Sequence, residues 1–323
     1  MIEVKNLVKR YGPKTAVDDV SFSVERGEVL GFLGPNGAGK STTMRMITGF
    51  FPPSSGTAVI GGKDIIEADV EAKALIGYLP ENAPAYSEMS VEKFLTFMAE
   101  IRGFKRAEAR KLVEKAIVTC YLQSVRHQTV ETLSKGYRHR ACFAQAILHD
   151  PPVLILDEPT DGLDPNQKRE MRDLIRRMGK HKAIILSTHI LEEVDAVCTR
   201  VVIIDQGKLI FNGSPDELRG QSSAAGAVSI TVSGPEKAVR DAFKKLPGVK
   251  RVDIADISDG RISLILTPDK GTGRSPDLAA AAARVAAENT WELSELSTNP
   301  GRLEDVFSQI TVSDTAKKGG ALS

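Results

Sequence analysis

Cysteine is scarce in this chain: Cys120, Cys142 and Cys198 are the only three in 323 residues, and no two share a CxxC spacing. That argues against a disulfide framework or a thiolate metal cluster and suits small buried thiols in a reducing compartment. Net charge is also lacking. Forty-three Lys and Arg stand against 42 Asp and Glu, a formal +1, so nothing draws the whole chain to nucleic acid or to an anionic membrane surface. No nucleic-acid partner is expected. Long apolar runs are missing as well. A helix that crosses a bilayer needs roughly 20 apolar residues, whereas the alanine-rich run at 278–287 is short and interrupted by Arg284. Glu3, Lys5, Lys9 and Arg10 occupy the place where a secretory leader would carry its apolar segment. The chain is therefore expected to be soluble, with any membrane-spanning part carried by another chain.

What is present suffices for one large domain and a smaller one, since 41% of residues are hydrophobic. Ile2 and Val4 alternate with charged neighbours, and residues 17–24 resemble a second half-buried strand. Residues 28–33 are mostly apolar and suit a strand covered on both faces. Residues 40–50 read as a helix stopped by the Pro52-Pro53 stretch, and 57–63 as a hairpin turning at Gly61-Gly62. From about 82 to 150 the spacing becomes helical. Val91, Phe94, Leu95 and Met98 fall on one face after a Ser90 cap, and Leu112, Val113, Ala116 and Ile117 repeat the spacing. Short aliphatic runs at 153–156, 183–186 and 201–204 then alternate with helical segments. The pattern predicts an α/β sheet with a helical subdomain inserted at 82–150.

Ser214-Pro215-Asp216-Glu217 opens a helix, so the first domain is expected to span 1–220, followed by a linker at 221–226. Residues 227–312 carry the order βαββαβ, which fits a small α+β ferredoxin-like sandwich, with a last helix at 302–310. A disordered tail is expected at 313–323.

Between the strand at 28–33 and the helix at 40–50 lies Gly34-Pro35-Asn36-Gly37-Ala38-Gly39-Lys40-Ser41, a full match to G-x-x-x-x-G-K-[ST] in the right context. Its glycines let successive backbone N–H groups point inward at phosphate oxygens, and the following helix presents its positive end to the same anion. Lys40 adds a full charge for the β- and γ-phosphates, and Ser41 offers a hard oxygen to Mg²⁺. A nucleoside triphosphate is the expected ligand. The aliphatic strand at 153–156 ends in Asp157 and Glu158. Taken alone, the pair fits a solvated acidic turn equally well. Coupled with the phosphate loop, it reads as a Mg²⁺-holding Asp157 and a water-activating Glu158. His189 follows the strand at 183–186, whose tip should lie near the γ-phosphate. His127, His139, His149 and His181 read as ordinary satisfied histidines.

With Leu133-Ser134-Lys135-Gly136-Tyr137 added, residues 2–220 resemble the ATP-binding subunits of the ABC superfamily, whose signature is LSGGQ. In isolation LSKGY fits a plain helix cap. The resemblance implies a P-loop NTPase cassette, with a mixed sheet core, an antiparallel β subdomain and a helical subdomain. It implies ATP as substrate and Mg²⁺ as cofactor, bound by Gly34, Pro35, Asn36, Gly37, Ala38, Gly39, Lys40, Ser41 and Thr42. Tyr11 would stack on adenine. Ser134 and Gly136, the signature residues, would meet the nucleotide of a second copy, Asp164 would be the D-loop aspartate among the nucleotide-binding residues, and Glu158, His189 and Lys40 would be catalytic. Glu81 stands at the position of the usual Q-loop glutamine, and with Ser41 and Asp157 it completes the implied metal set. Further departures are Lys135 and Tyr137, in place of Gly and Gln, and Asp161, where a small or neutral residue is usual. The variations resemble a bacterial exporter branch (gliding-motility, copper-processing and drug-export systems), and Arg302-Leu303-Glu304-Asp305-Val306-Phe307 is similar to the ending seen there. That branch pairs its ATPase with a separate transmembrane permease, which implies a place peripheral to the cytoplasmic face of the inner membrane; the complete catalytic and signature sets favour a homodimer over a heterodimer, a choice the sequence leaves open. The rival is a non-transport ABC ATPase acting on ribosomes or DNA. One uninterrupted cassette and near-neutral charge speak against it, and a GTPase would need an NKxD motif that is absent. The cargo is not written in this chain.

Overall fold

The computed structural model describes every residue except 83–84, 223, 259, 270–276 and 312–323. The tail expected at 313–323 lies outside the described residues. The chain divides into two compact units, Met1–Pro215 and Asp216–Ser323. Residues 216–226, read from the sequence as the end of a first domain and a linker, are part of the second unit. Their turns are pinned there by Gly226 N–H donating to the Asn299 carbonyl at 2.9 Å and Ser222 Oγ donating to Asp305 at 3.3 Å.

The first unit holds two sheets. β1 (Ile2–Tyr11), β2 (Lys14–Val24), β4 (Ser55–Ile60) and β5 (Lys63–Asp64) form an antiparallel sheet in the order β2-β1-β4-β5. The six-stranded sheet runs in the order β10 (Lys208–Gly213), β9 (Arg200–Asp205), β3 (Val29–Leu33), β8 (Ala183–Thr188), β7 (Val153–Asp157), β6 (Ile76–Leu79). Its pairs are parallel except β10 with β9. Both faces of its central strands are covered, which explains their unbroken aliphatic runs. Successive residues alternate between the two cores. Leu154, Leu156 and Leu186 pack with α3 (Val91–Ile101), α4 (Arg106–Thr119) and α5 (Lys135–Ile147), whereas Val153, Ile155 and Ile185 join the antiparallel sheet and α1 (Lys40–Ile47). The Ser90 hydroxyl caps α3 by accepting from Lys93 N–H at 3.4 Å. α1 ends three residues before the expected stop because Gly49 turns left-handed, at φ +65°.

In the second unit β11 (Val228–Ser233), β12 (Val249–Ser258), β13 (Arg261–Pro268) and β14 (Leu293–Thr298) pair antiparallel in the order β12-β13-β11-β14. This is the ferredoxin-like arrangement, with the first and third strands central. The helices Glu236–Lys244 and Leu278–Glu288 supply Val239, Phe243, Ala282 and Ala286 to a core with Ile230, Leu264 and Leu266.

Cys120 and Cys142 are buried and Cys198 half-buried. Burial pushes the Cys120 and Cys142 thiols up to about 12 and about 11, far from the reactive thiolate range.

Candidate active site

Parallel register brings the carboxyl ends of the central strands together. Leu33 lies opposite Thr188, and Asp157 opposite Ser187. The loop after β3, the carboxylates after β7 and the histidine after β8 therefore share one edge of the sheet, the place where open α/β sheets bind ligands. Two glycines of the loop are dictated by crowding and conformation. A Cβ on Gly34 would sit 2.3 Å from the Ile204 carbonyl oxygen, and Gly39 has φ +112° with the Ala16 carbonyl pressed against it. Lys40 is buried, and its Nζ donates to the carbonyls of Gly34 at 2.7 Å and Pro35 at 3.3 Å. Burial pulls its ammonium below the ordinary lysine value, while the carboxylates of Glu158, Asp157 and Glu81 oppose that pull. Ser41 and Thr42, half-buried, follow in the first turn of α1.

Asp157 is buried, and among the described residues its Oδ1 has no hydrogen-bond partner. Glu158 is held in the left-handed region at φ +52°, with its N–H donating to the Ser187 carbonyl at 2.9 Å. A left-handed residue without glycine at a strand end stores strain of a kind that clusters at functional sites. The turn aims its carboxylate at His189, whose Nδ1 lies 2.9 and 3.0 Å from the two oxygens. Thr188 brackets that histidine. Its hydroxyl donates to Glu193 Oε2 at 2.8 Å and accepts from Ile190 N–H at 3.0 Å. Burial, with Glu158 nearby, raises the Glu193 carboxyl above the usual range.

Tyr11 ends β1 with its ring half exposed and set edge-on to Phe51, 6.5 Å between centroids. Glu81, exposed beyond β6, acts electrostatically on both Lys40 and Tyr78. Ser134 is the N-cap of α5, accepting from Tyr137 N–H at 3.4 Å, and buried Gly136 packs so closely on Gln167 that a Cβ would fall 2.1 Å from its Oε1. Asp164 caps α6 (Pro165–Gly179) by accepting from Gln167 N–H at 2.9 Å. Among the described residues no hydrogen bond or ion pair joins Ser134, Gly136 or Asp164 to the 34–42 loop.

The family model described as ABC transporter matches residues 17–161. The linearmycin resistance ATP-binding protein LnrL of Bacillus subtilis (strain 168) is 34% identical over 258 residues, covering 80% of this chain and 83% of that protein. The chain belongs to the ABC transporter ATP-binding proteins. The Nod factor export ATP-binding protein I of Paraburkholderia xenovorans (strain LB400) is 36% identical over 256 residues, 79% of this chain and 83% of its own. A solved ATP-binding subunit of an ABC transporter superposes with a TM-score of 0.63 at 32% identity, covering 68% of this chain and 92% of that one.

This ABC subunit is therefore an ATPase of a transporter, and the ribosome- or DNA-acting alternative is not favoured. Among its described residues no helix is long and apolar enough to cross a membrane. Glu193 carries no mark of its inward role in the sequence. Beside Glu192 it looks like an ordinary first-turn acid, a favourable place for negative charge at a helix start, and only the packing of α7 (Leu191–Val197) shows it turned inward. The pairing of Lys135 with Asp161, Nζ to Oδ2 at 3.0 Å, was equally invisible, although both residues stand out in the sequence as departures from the family pattern.

Proposed function

We propose that two copies of this chain close head to tail around two ATP molecules. Each nucleotide would lie between the 34–42 loop of one copy and the Ser134 helix end of the other, and the cycle would drive a separate transmembrane permease. The observation that carries this reading is the division of the site. One protomer holds both a phosphate loop and a helix start capped by Ser134, and among the described residues no hydrogen bond or ion pair joins the two. Tyr11 stacks on the adenine, the loop N–H groups and Thr42 hold phosphate oxygens, and Lys40 transfers its hydrogen bonds from the Gly34 and Pro35 carbonyls to the β- and γ-phosphates.

The donor set fits Mg²⁺. Asp157 Oδ1 is buried with no hydrogen-bond partner among the described residues, and Ser41 with Glu81 completes a group of hard oxygens. Ser41, Asp157 and Glu81 would hold the ion, which would supply positive charge to the phosphate oxygens. Glu158 orients the attacking water and takes its proton as the water oxygen bonds to γ-phosphorus and the bond to the β,γ-bridging oxygen breaks. His189, held by the Thr188 bracket, orients Glu158 and faces the γ-phosphate. Loss of that phosphate removes what bridges the two copies, and the dimer reopens. The names of the relatives, resistance and export, support work in the export direction; its place would be the cytoplasmic face of the inner membrane.

Glu158→Gln keeps the shape and loses the base. It is expected to bind ATP, to hydrolyse it 10²–10⁴-fold more slowly, roughly the span of general-base catalysis, and to accumulate as a nucleotide-loaded dimer in light scattering. Wild-type turnover by this variant would refute the assignment.

A further inference from the structure

We infer that Lys135 is a nucleotide-reading residue that Asp161 holds in reserve: in the separated protomer its ammonium is tied to Asp161, and in the closed dimer it moves to the γ-phosphate bound by the facing copy. The inference rests on the two-copy sandwich described above. Lys135 is the first residue of α5, next to the Ser134 cap, and the first turn of that helix holds no acidic residue. A cation there opposes the helix dipole, so Lys135 is not placed to stabilise its own helix. The ion pair does not explain it either. The side chains are 66% and 57% exposed, and exposed pairs contribute little to stability.

The surroundings instead fit a lysine that is parked. Its side chain lies in the notch left by Gly162, where a Cβ would fall 1.9 Å from its Nζ. Asp161 is carried on the turn directly after Glu158 and Thr160, with its N–H donating to the Glu158 carbonyl at 3.2 Å. The parked ammonium therefore sits between the helix end that meets a foreign phosphate and the turn that bears the catalytic carboxylate. The hydrogen bond from Lys135 holds the Asp161 carboxyl below its usual range, which keeps the partner charged. A terminal phosphate carries more negative charge than a carboxylate and meets the lysine in a closing, drying interface, so it outcompetes Asp161. ADP, lacking that phosphate, does not.

The two ends of the pair then have opposite effects, which a merely structural salt bridge would not. In full-length Glu158→Gln protein titrated with Mg-ATP, dimer formation is followed by light scattering, and nucleotide binding to the dilute monomer by a fluorescent ATP analogue. Lys135→Gln is expected to raise the half-saturating ATP for dimer formation roughly ten-fold, the scale of one lost charge-assisted hydrogen bond. Asp161→Asn, which frees the lysine and removes a repelling carboxylate, is expected to lower it several-fold, and Lys135→Arg to leave it near the parent value. Monomer binding should be unchanged in all three. Shifts of Lys135→Gln and Asp161→Asn in the same direction, or no shift in either, overturn the inference. If the Glu158→Gln parent does not dimerise with ATP at all, the sandwich itself fails and the inference falls with it.

Discussion

Lys40 shows how much of this site depends on single groups. It is buried against its own loop carbonyls, pulled down by burial and supported by three carboxylates. Hydrogen bonds to charged groups contribute roughly 1.5–3 kcal/mol each, so Lys40→Ala is expected to weaken ATP binding by one to two orders of magnitude in calorimetric titration. Unchanged affinity would remove the residue from the phosphate site. Glu193 acts at one remove, as a positioning residue. Glu193→Ala leaves the Thr188 hydroxyl without its acceptor and loosens His189, so kcat should fall roughly ten-fold, about the value of one net hydrogen bond, while the KM for ATP stays put. A rise in KM with kcat preserved would show that Glu193 serves binding instead.

At the scale of elements, α5 runs from its Ser134 cap to a half-buried histidine just past its other end. His149 Nε2 lies 3.1 Å from Arg102 Nη1, and burial together with that guanidinium pushes the ring down to about 4. A ring that resists protonation when folded and accepts a proton freely when unfolded contributes stability above about pH 6.5, lost as pH falls toward 4. His149→Gln should therefore flatten the fall in melting temperature across that window. In the second unit Leu264, fully buried at the centre of the ferredoxin-like sheet, is expected to cost about 2–5 kcal/mol on truncation to Ala, read as faster amide exchange in β11 and β13. Much of this architecture was legible beforehand. Period-two and period-3.6 patterns placed β1, β2, the helices α3 and α4 and the βαββαβ order, because their faces are set by local alternation, and an unbroken apolar run placed β3. Three elements were not read. β6 is a four-residue edge strand whose partner, β7, is distant in sequence. α2 (Asp69–Ala74) buries only Ala72. β10 is an edge strand, and its turn at Gln206 and Gly207, both at positive φ, was a usable signal. The phosphate loop, Asp157, Glu158 and His189 were legible because each motif is contiguous. The Thr188–Glu193 and Lys135–Asp161 contacts were not, because they form only when separate turns pack.

For the whole molecule, the claim is that one chain supplies two half-sites that meet only across two copies. Near-neutral net charge and mixed surface signs leave association to specific nucleotide contacts rather than to bulk attraction. The most direct measurement uses a photoreactive ATP analogue activated at its γ-phosphate. Wild-type chains are mixed with a mass-tagged Lys40→Ala copy at a nucleotide concentration that loads the wild-type loop but leaves the weaker Lys40→Ala loop mostly empty, and the cross-linked residues are located by mass spectrometry. The account expects labelling of residues 134–137 on the Lys40→Ala copy, lost on dilution to monomers. Labelling confined to the wild-type chain that holds the nucleotide would contradict it.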